Sequence, residues 1–406
     1  MNGIRVRPGK ERPLPRRNLW RGRTLVTLVL VTLGGCVSPR ALSDVGDAVA
    51  FDAAVTRLMA GEHVVGLALA LIDDGRVARV ATYGWRNEKM REPITADTVM
   101  AGASLTKAVF AQLVLQLVDE GRLELDAPLA SLLPRPLPEY PRYAELQGDE
   151  RWRLLTARHV LAHSTGFANF RWLEPDRRLR LHFDPGSRYA YSGEGFGLLQ
   201  FAIENGLGID IAQAMQERVF ARLGMTRTSM RWRSDFGGDA ADTYDAGGSV
   251  TPHARRLRAD AAGSMDTSIA DQARFWAAAL RGEGISAGAR RDWARSQLPI
   301  RSAHQFPTLA AQDAGNERRG LSAGLGVVVF GAGDGAGWFK GGHDDGTANM
   351  AICLEHRRRC VVILANDVRA ERIYPQIAHL ALGPTAMPWS WEYAWLAPSA
   401  RFGPRP

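Results

Sequence analysis

Ser104 and Lys107 are the two side chains whose types and spacing most directly suggest chemistry. They open a segment, 103–120, whose apolar residues recur at spacings of one, three and four, which predicts a helix that ends before Gly121. A spacing of three places the hydroxyl and the amine on one helix face. A serine becomes a nucleophile when a nearby base takes its proton, and a lysine of lowered pKa can be that base. The same spacing also arises by chance, as a helix-start serine with a solvated lysine.

Lysine is rare in this chain, which marks two lysines as candidates before any motif is considered. Only four of the 51 basic residues are lysines, namely Lys10, Lys89, Lys107 and Lys340. A general preference for arginine explains much of this scarcity. Arginine cannot serve as a base, however, so a retained lysine suggests a site that needs a compact or deprotonatable amine. Lys107 and Lys340 meet that description.

Three further stretches have the composition of a cleft. Glycines at 186, 193 and 195 surround Tyr191 in a loop that can present a phenol, although a buried structural tyrosine has the same pattern. Lys340 is followed by two glycines, which would let a substrate backbone approach and place a cation near a carboxylate; a surface loop is the alternative. His163 lies among small polar residues, and we interpret it as a hydrogen-bonded structural group.

Strand patterns occur near both ends of the chain and helical patterns lie between them. The predicted strands are 64–72, 77–83, 325–330, 338–340, 350–355 and 360–365, with a turn at 73–75 and terminal helices at 51–59 and 369–382. We therefore predict one sheet built from N- and C-terminal segments, with a helical region inserted after the Ser104 helix. This layout places the start of that helix at a seam, where a cleft is expected.

Together, three short motifs resemble those of a known family. Ser104-Leu105-Thr106-Lys107, Tyr191-Ser192-Gly193 and Lys340-Gly341-Gly342 are similar, in order and separation, to the motifs of the penicillin-recognising serine hydrolases. That group includes class C β-lactamases, D-alanyl-D-alanine peptidases and esterases. The likeness covers roughly 51–382 and includes the runs 121–129, 161–166 and 261–265. It implies an α+β fold, an α/β sandwich of the β-lactamase/transpeptidase type with an antiparallel sheet flanked by helices.

The resemblance also implies a serine acyl-enzyme mechanism without a cofactor. Ser104 would be the nucleophile, Lys107 its base and Tyr191 a proton relay whose phenol pKa is lowered by neighbouring cations. The backbone amides of Ser104 and His343 would form the oxyanion hole. The residues expected to bind substrate are Lys340, Gly341, Gly342 and Gly193.

Two departures from the family pattern leave the substrate open. Gly193 stands where lactamases and peptidases usually carry Asn, so the amide that would bond a peptide-like substrate is missing. Lys340 stands where many esterase-like relatives carry His, which points toward carboxylate-bearing substrates. An ester, amide or β-lactam substrate, small or peptidyl, is therefore expected. The alternatives are a β-lactamase or D-Ala-D-Ala carboxypeptidase proper, and a non-catalytic lipoprotein that binds cell-wall peptides.

The first 36 residues have the pattern of a bacterial export signal. A basic segment precedes the apolar run 24–33, and Leu33-Gly34-Gly35-Cys36 resembles a lipobox in which Cys36 is lipidated. An ordinary cleaved signal or an uncleaved anchor are the alternatives. We expect a chain anchored on the periplasmic side of the envelope, with a linker at 37–48, a hydrolase domain at 49–383 and a tail at 384–406. Within the domain, the sheet is expected from about 49–100 and 322–383, and the helical region from about 101–321.

Charge, metal-binding motifs and cysteines limit the classes of partner and site that the sequence predicts. Eight of the 51 basic residues and one of the 43 acidic residues lie in the first 36, so the net charge of +8 belongs mostly to the leader and does not indicate a nucleic-acid partner. Neither H-E-x-x-H nor C-x-x-C occurs, so no metal site is predicted. Cys353 and Cys360 lie on a predicted hairpin, either as a cross-strand disulfide or as two small buried residues.

Overall fold

The structure, a computed structural model, describes residues 45–331 and 336–396. The predicted signal segment with Cys36, most of the predicted linker and the last residues of the tail lie outside these ranges.

Thirteen strands and ten helices make up the described chain, together with short 3-10 turns. The strands are β1 (Gly66–Asp73), β2 (Arg76–Asn87), β3 (Glu92–Pro93), β4 (Met100–Ala101), β5 (Thr243–Tyr244), β6 (Val250–Thr251), β7 (Asp266–Thr267), β8 (Leu298–Pro299), β9 (Ser322–Ala323), β10 (Val328–Phe330), β11 (Gly337–His343), β12 (Ala348–Leu354) and β13 (Arg359–Ala365). The helices are α1 (Val45–Gly61), α2 (Leu105–Asp119), α3 (Ala157–Leu161), α4 (Gly193–Leu207), α5 (Ile211–Met215), α6 (Ile269–Arg281), α7 (Ala287–Trp293), α8 (Ala314–Arg318), α9 (Tyr374–Leu382) and α10 (Trp389–Glu392).

The predicted sheet from both ends of the chain is confirmed. Nine strands lie in the order β3-β2-β1-β13-β12-β11-β10-β9-β8, and every pairing between them is antiparallel. β1 pairs with β13, with Leu67 opposite Ala365, so the two ends of the domain meet at the middle of the sheet. The first hairpin, β1–β2, turns at Asp74 and Gly75, as the sequence indicates.

Both faces of the sheet are covered, which gives the predicted α/β sandwich. Along β1, Ala68, Ala70 and Ile72 pack into one core together with α2 and α6. The alternate residues Leu67, Leu69 and Leu71 pack into the other core together with α1 and α9. This alternation follows from the two-residue period of a strand, whose successive side chains point to opposite faces.

Helix α2 lies inside the molecule rather than on its surface. Every residue from Leu105 to Leu117 is buried, so the apolar character of this segment extends around the whole helix. Ser104 is its N-cap, and Gly121 adopts a left-handed conformation just after its C-terminal end, as predicted. Ala103 also has a positive φ of 43°. A non-glycine residue in this region is strained, and such strain tends to occur at functional sites.

The inserted region is mostly helical, with exceptions that its sequence did not indicate. Short helices and 3-10 turns alternate with two small strand pairs, β4–β7 and β5–β6, while β8 joins the edge of the main sheet. These additional strands are only two residues long, which is too short to produce a recognisable alternation of polar and apolar residues.

Ordered elements continue beyond both ends of the predicted domain, 49–383. Helix α1 begins at Val45, inside the segment predicted as linker. The tail after 383 is also part of the fold, because Met387, Trp391 and Tyr393 are buried in the same core as α9. The small polar residues before 49 and the aperiodic tail hid these contacts, which depend on packing against distant elements.

The predicted hairpin at the two cysteines is also present. Cys353 and Cys360 lie opposite one another on β12 and β13 and are joined by a disulfide. Across the described ranges, no helix combines the length and the apolar character needed to cross a bilayer.

Candidate active site

Ser104 and Lys107 are in direct contact at the start of α2. The Lys107 Nζ lies 3.0 Å from the Ser104 Oγ, and the same nitrogen donates a hydrogen bond to the carbonyl oxygen of Ala262 at 2.6 Å. The Ser104 hydroxyl also lies 3.5 Å from that carbonyl oxygen. A neutral lysine amine has a lone pair, so this arrangement lets Lys107 accept the proton of Ser104.

The surroundings of Lys107 favour its neutral form. Its side chain is fully buried, and burial lowers its pKa well below the ordinary value, with a further lowering by the positive charge of Lys340. Asp260 opposes this shift only in part. The amine faces two aromatic rings, with its nitrogen 4.9 Å from the ring centre of Tyr191 and 5.5 Å from that of Phe196.

Tyr191 is close to both buried lysines. The Lys340 Nζ donates a hydrogen bond to its hydroxyl at 3.3 Å and lies 5.1 Å from its ring centre, on a ring that Lys107 also faces. The prediction that these cations lower the phenol pKa is wrong. Burial dominates and raises the pKa of Tyr191, although a hydrogen bond with Ser104 acts in the opposite direction. Tyr191 is therefore a protonated phenol at neutral pH, able to donate a proton.

His163 packs against Tyr191 and is held by a hydrogen bond, which agrees with its interpretation as a structural residue. Its ring stacks on Tyr191 with centres 4.2 Å apart, and its Nδ1 accepts a hydrogen bond from the backbone N–H of Ser192 at 3.1 Å. Burial, together with the charges of Lys107 and Lys340, lowers the pKa of His163 well below its usual value. It is thus a neutral ring that fixes the position of the phenol.

Strand β11 brings Lys340, Gly341 and Gly342 against the start of α2. A Cβ atom at Gly342 would lie 2.9 Å from the Gly102 carbonyl oxygen and 3.2 Å from the Ser104 backbone nitrogen, so only glycine permits this approach. The next residue, His343, lines the same cavity as Ser104. Its Nδ1 is 2.8 Å from the Oε1 of Glu371, which turns the imidazole toward the neighbouring 3-10 turn.

The side chain of Lys340 is directed inward. It is 3% exposed, and its amine donates hydrogen bonds to the Tyr191 hydroxyl and to the Gly341 carbonyl oxygen. Burial lowers the pKa of Lys340 to about 8, and the negative charge of Glu392 acts against that lowering.

Gly193 begins α4, and an aromatic ring occupies the space beside it. A Cβ atom at this position would lie 2.5 Å from the Cζ of Phe170. Phe170 stacks on Trp172 with ring centres 4.1 Å apart, and both rings line a cavity of about 600 Å³ that also contacts Ser104, Ala262 and His343. An apolar wall therefore stands where the family motif would place an amide.

The sequence did not single out Glu392, which faces this site from the tail. Its side chain is 9% exposed, and burial raises its pKa to about 7, with Lys340 acting in the opposite direction. The cluster of Trp389, Trp391 and Tyr393 around a single carboxylate was the available signal, because aromatic residues of this density usually become buried. Within the described residues, no group of three His, Cys, Asp or Glu side chains is placed to hold a metal ion.

Comparison with known proteins agrees with these features. A family model described as Beta-lactamase matches residues 51–382, which is most of the chain. The chain belongs to the beta-lactamase family. The matched range begins in α1 and ends at the last residue of α9, so it contains all three motifs.

Curated relatives match this chain over part of their length. A D-aminopeptidase of Brucella anthropi is 29% identical over 189 residues, which cover 45% of this chain and 36% of that protein. The esterase EstB of Burkholderia gladioli is 29% identical over 201 residues, which cover 43% of this chain and 49% of that protein. The chain thus spans between about a third and a half of the length of these relatives.

A solved structure supports the fold. The octameric penicillin-binding protein homologue from Pyrococcus abyssi superposes with a TM-score of 0.67 at 20% identity, covering 84% of this chain and 78% of that one. At this level of identity the likeness concerns the architecture, an antiparallel sheet with helices on both sides.

Proposed function

We propose that this chain is an exported serine hydrolase that forms an acyl-enzyme through Ser104. The observation that carries the proposal is the 3.0 Å contact between the Ser104 hydroxyl and a fully buried lysine, beside an open cavity. A buried amine of lowered pKa next to a hydroxyl is the arrangement that activates an alcohol for attack on a carbonyl.

In the first half of the reaction, Lys107 takes the hydroxyl proton while the Ser104 oxygen forms a bond to the substrate carbonyl carbon. The carbonyl π electrons move to oxygen, and the backbone amides of Ser104 and His343 are proposed to stabilise the resulting oxyanion. When the tetrahedral intermediate collapses, the bond to the leaving group breaks and Tyr191 gives that group a proton. The proton that Lys107 took from Ser104 then passes to the Tyr191 oxygen and restores the phenol.

In the second half, water attacks the acyl-enzyme. The water oxygen bonds to the acyl carbon and its proton passes to Lys107; as the bond to Ser104 breaks, a proton is returned to the departing Ser104 oxygen, which releases the acid. The neutral amine of Lys107 and the protonated phenol of Tyr191 suit these roles, because one accepts and the other donates at neutral pH.

Esters with an apolar acyl group are the substrates we favour. Gly193 offers no side-chain amide to a peptide-like substrate, and the Phe170–Trp172 pair provides an apolar surface beside Ser104 instead. Lys340, which we propose to interact with substrate together with Gly341 and Gly342, has an inward-directed amine in the free enzyme. The second candidate is a D-amino-acid amide or peptide, because one relative is named a D-aminopeptidase and Lys340 keeps a cation at the site.

We also propose that the chain is exported and anchored through a lipid at Cys36, which rests on the sequence of the first 36 residues. Metabolic labelling with a fatty-acid analogue should modify the wild type and not Cys36→Ser. Labelling of both proteins, or of neither, would contradict the anchor.

Covalent labelling tests the proposed nucleophile. A fluorophosphonate probe should modify Ser104, and Ser104→Ala should lose the label while Ser131→Ala, a change at an exposed serine, should keep it. Equal labelling of wild type and Ser104→Ala would exclude this serine as the nucleophile. Absence of labelling in the folded wild type would favour a binding protein without catalysis.

Substitutions beside Gly193 test the preference for esters. Gly193→Asn should be destabilised by about 1–3 kcal/mol because its side chain meets Phe170, and Phe170→Ala in the same chain should relieve this. We expect the wild type to hydrolyse p-nitrophenyl esters much faster than nitrocefin, and the double variant to narrow that ratio. Efficient nitrocefin hydrolysis by the wild type would overturn the ester preference.

A further inference from the structure

The interior beside Ser104 holds two lysines, and a buried carboxylate, Glu392, lies against the strand that carries one of them. Lys107 and Lys340 are both buried, and their amines lie 4.9 and 5.1 Å from the ring centre of Tyr191. Two positive charges in a pocket of low polarity repel each other, and each one also loses hydration. Neighbouring groups must therefore determine which of the two lysines is protonated.

Glu392 lies against Gly341, the residue whose carbonyl oxygen accepts a hydrogen bond from the Lys340 amine. A Cβ atom at Gly341 would be 2.5 Å from the Glu392 Oε1, so the carboxylate sits against the strand that carries Lys340. Its other oxygen, Oε2, is buried without a hydrogen-bond partner among the described residues. A buried carboxylate with an unpaired oxygen is costly unless a nearby charge compensates it, and Lys340 is the cation that acts on it most strongly.

Other titratable groups surround Glu392 and Lys340, but none of them provides a second negative charge beside the Lys340 amine. The groups that interact with Glu392 or Lys340 are Tyr189, Tyr191, Lys107, His163, Glu371, His343 and Tyr393. Of these, Glu371 is the only other carboxylate, and it lies 2.8 Å from the imidazole of His343. On the Lys107 side, Asp260 is exposed, so water weakens its effect.

We propose that Glu392 is a positioning residue that holds the positive charge on Lys340 and thereby leaves Lys107 neutral, as the base. The proposal rests on the proposed function, since it assigns a role within that reaction. Glu392 does not line the cavity beside Ser104, so it acts through Lys340 rather than on substrate. Through Lys340 it also maintains the hydrogen bond to the Tyr191 hydroxyl.

The sign of the effect follows from the charges. The carboxylate of Glu392 raises the pKa of Lys340, so Glu392→Gln lets Lys340 lose its proton at lower pH. We expect kcat/KM of Glu392→Gln to fall about tenfold at pH 8. The alkaline limb of its pH profile should also move to lower pH. Glu392→Asp retains the charge and should restore much of the activity.

The small number of lysines permits a direct measurement of their protonation. Protein labelled with ¹⁵N-lysine gives at most four side-chain nitrogen signals, which Lys340→Ala and Lys89→Ala would assign. In Glu392→Gln the Lys340 signal should titrate at lower pH than in the wild type, while Lys89, which is exposed, should be unchanged. Melting temperatures of wild type and variant should be similar, because Glu392→Gln keeps the size and shape of the side chain and removes only its charge.

Two results would overturn the proposal. One is an unchanged Lys340 titration in folded Glu392→Gln; the other is a loss of activity in proportion to a loss of stability with no shift of the pH profile. If Glu392→Gln does not fold, Glu392→Met, which removes the charge together with the unpaired oxygen, provides the same titration. A shifted titration in a protein whose Ser104 takes no probe would sustain the charge coupling and reject the proposed function.

Discussion

Two buried lysines near one tyrosine ring show how the position of a residue decides its chemistry. Lys107 comes from the first turn of α2 and contacts Ser104, and the carboxylate that acts on it is the exposed Asp260. Lys340 comes from β11 and shares its surroundings with the buried Glu392. Burial lowers the pKa of both lysines, but among the described residues the buried carboxylate Glu392 acts on Lys340, so the same residue type supplies a base at one position and a cation at the other.

Removal of the Lys107 amine and of the Lys340 amine should give the largest difference in kcat/KM. Lys107→Ala should lower kcat/KM by about 10³–10⁴-fold, because Ser104 loses its base, whereas Lys340→Ala should cost about 10–100-fold. Lys89→Ala, at an exposed position, should match the wild type. Ester hydrolysis assays would measure all three, and equal losses for Lys107→Ala and Lys340→Ala would remove the distinction between base and cation.

Removal of the Tyr191 hydroxyl should have the next largest effect. Tyr191→Phe keeps the ring that both amines face but removes the proton that the leaving group receives, so we expect kcat to fall about 10²-fold with little change in KM. Tyr189→Phe is the matched control, since Tyr189 is also buried but donates its hydroxyl to Gln305. A Tyr191→Phe variant as active as that control would show that the leaving group departs without this donor.

The pH profile should separate the two lysines. Activity should rise with pH as Lys107 loses its proton and fall again near pH 8 as Lys340 loses its own, which gives a bell-shaped kcat/KM. Because the two groups interact, the limbs report the behaviour of the pair. Lys340→Met should remove the alkaline limb and keep the acid one; the opposite pattern would exchange the two assignments.

The smallest expected effect concerns stability. Burial depresses the pKa of Lys107 in the folded chain, so between that depressed value and the ordinary 10.5 the unfolded chain binds the extra proton and stability rises with pH. Lys107→Met should lose this dependence and raise the free energy of unfolding at neutral pH by about 1–3 kcal/mol. Denaturant unfolding at several pH values checks both, and a destabilised variant would mean that the amine contributes more through its hydrogen bonds than it costs.

The parts of the site that follow local patterns could be predicted from the sequence. The Ser104–Lys107 spacing, the glycine-flanked Tyr191 and Lys340, the first hairpin and the sheet joining both ends all depend on the period of a helix or strand or on turn residues. His163 was also interpreted correctly, because small polar neighbours are typical of a histidine that is held by hydrogen bonds.

The features of the site that the sequence did not predict depend on packing between segments that are distant in the chain. The sequence predicted a lowered pKa for Tyr191, and the pKa is raised instead. Neighbouring charges can be inferred from motifs, whereas the depth of burial cannot. Phe170 lies 23 residues before Gly193, and no spacing rule links the two, yet the ring fills the space beside that glycine. Glu392 lies in a segment without periodicity, and it comes to lie against Gly341 because its neighbours Trp391 and Tyr393 are buried against the sheet.

The central claim is that Ser104 carries the acyl group while Lys107 serves as its base. Rapid mixing with a p-nitrophenyl ester, followed by acid quench and mass spectrometry, tests it directly. We predict a burst of about one p-nitrophenol per chain and an acyl adduct on the peptide that contains Ser104, with the burst slowed at least about 10²-fold in Lys107→Ala. An adduct on another residue, or an unchanged burst in Lys107→Ala, would contradict the account.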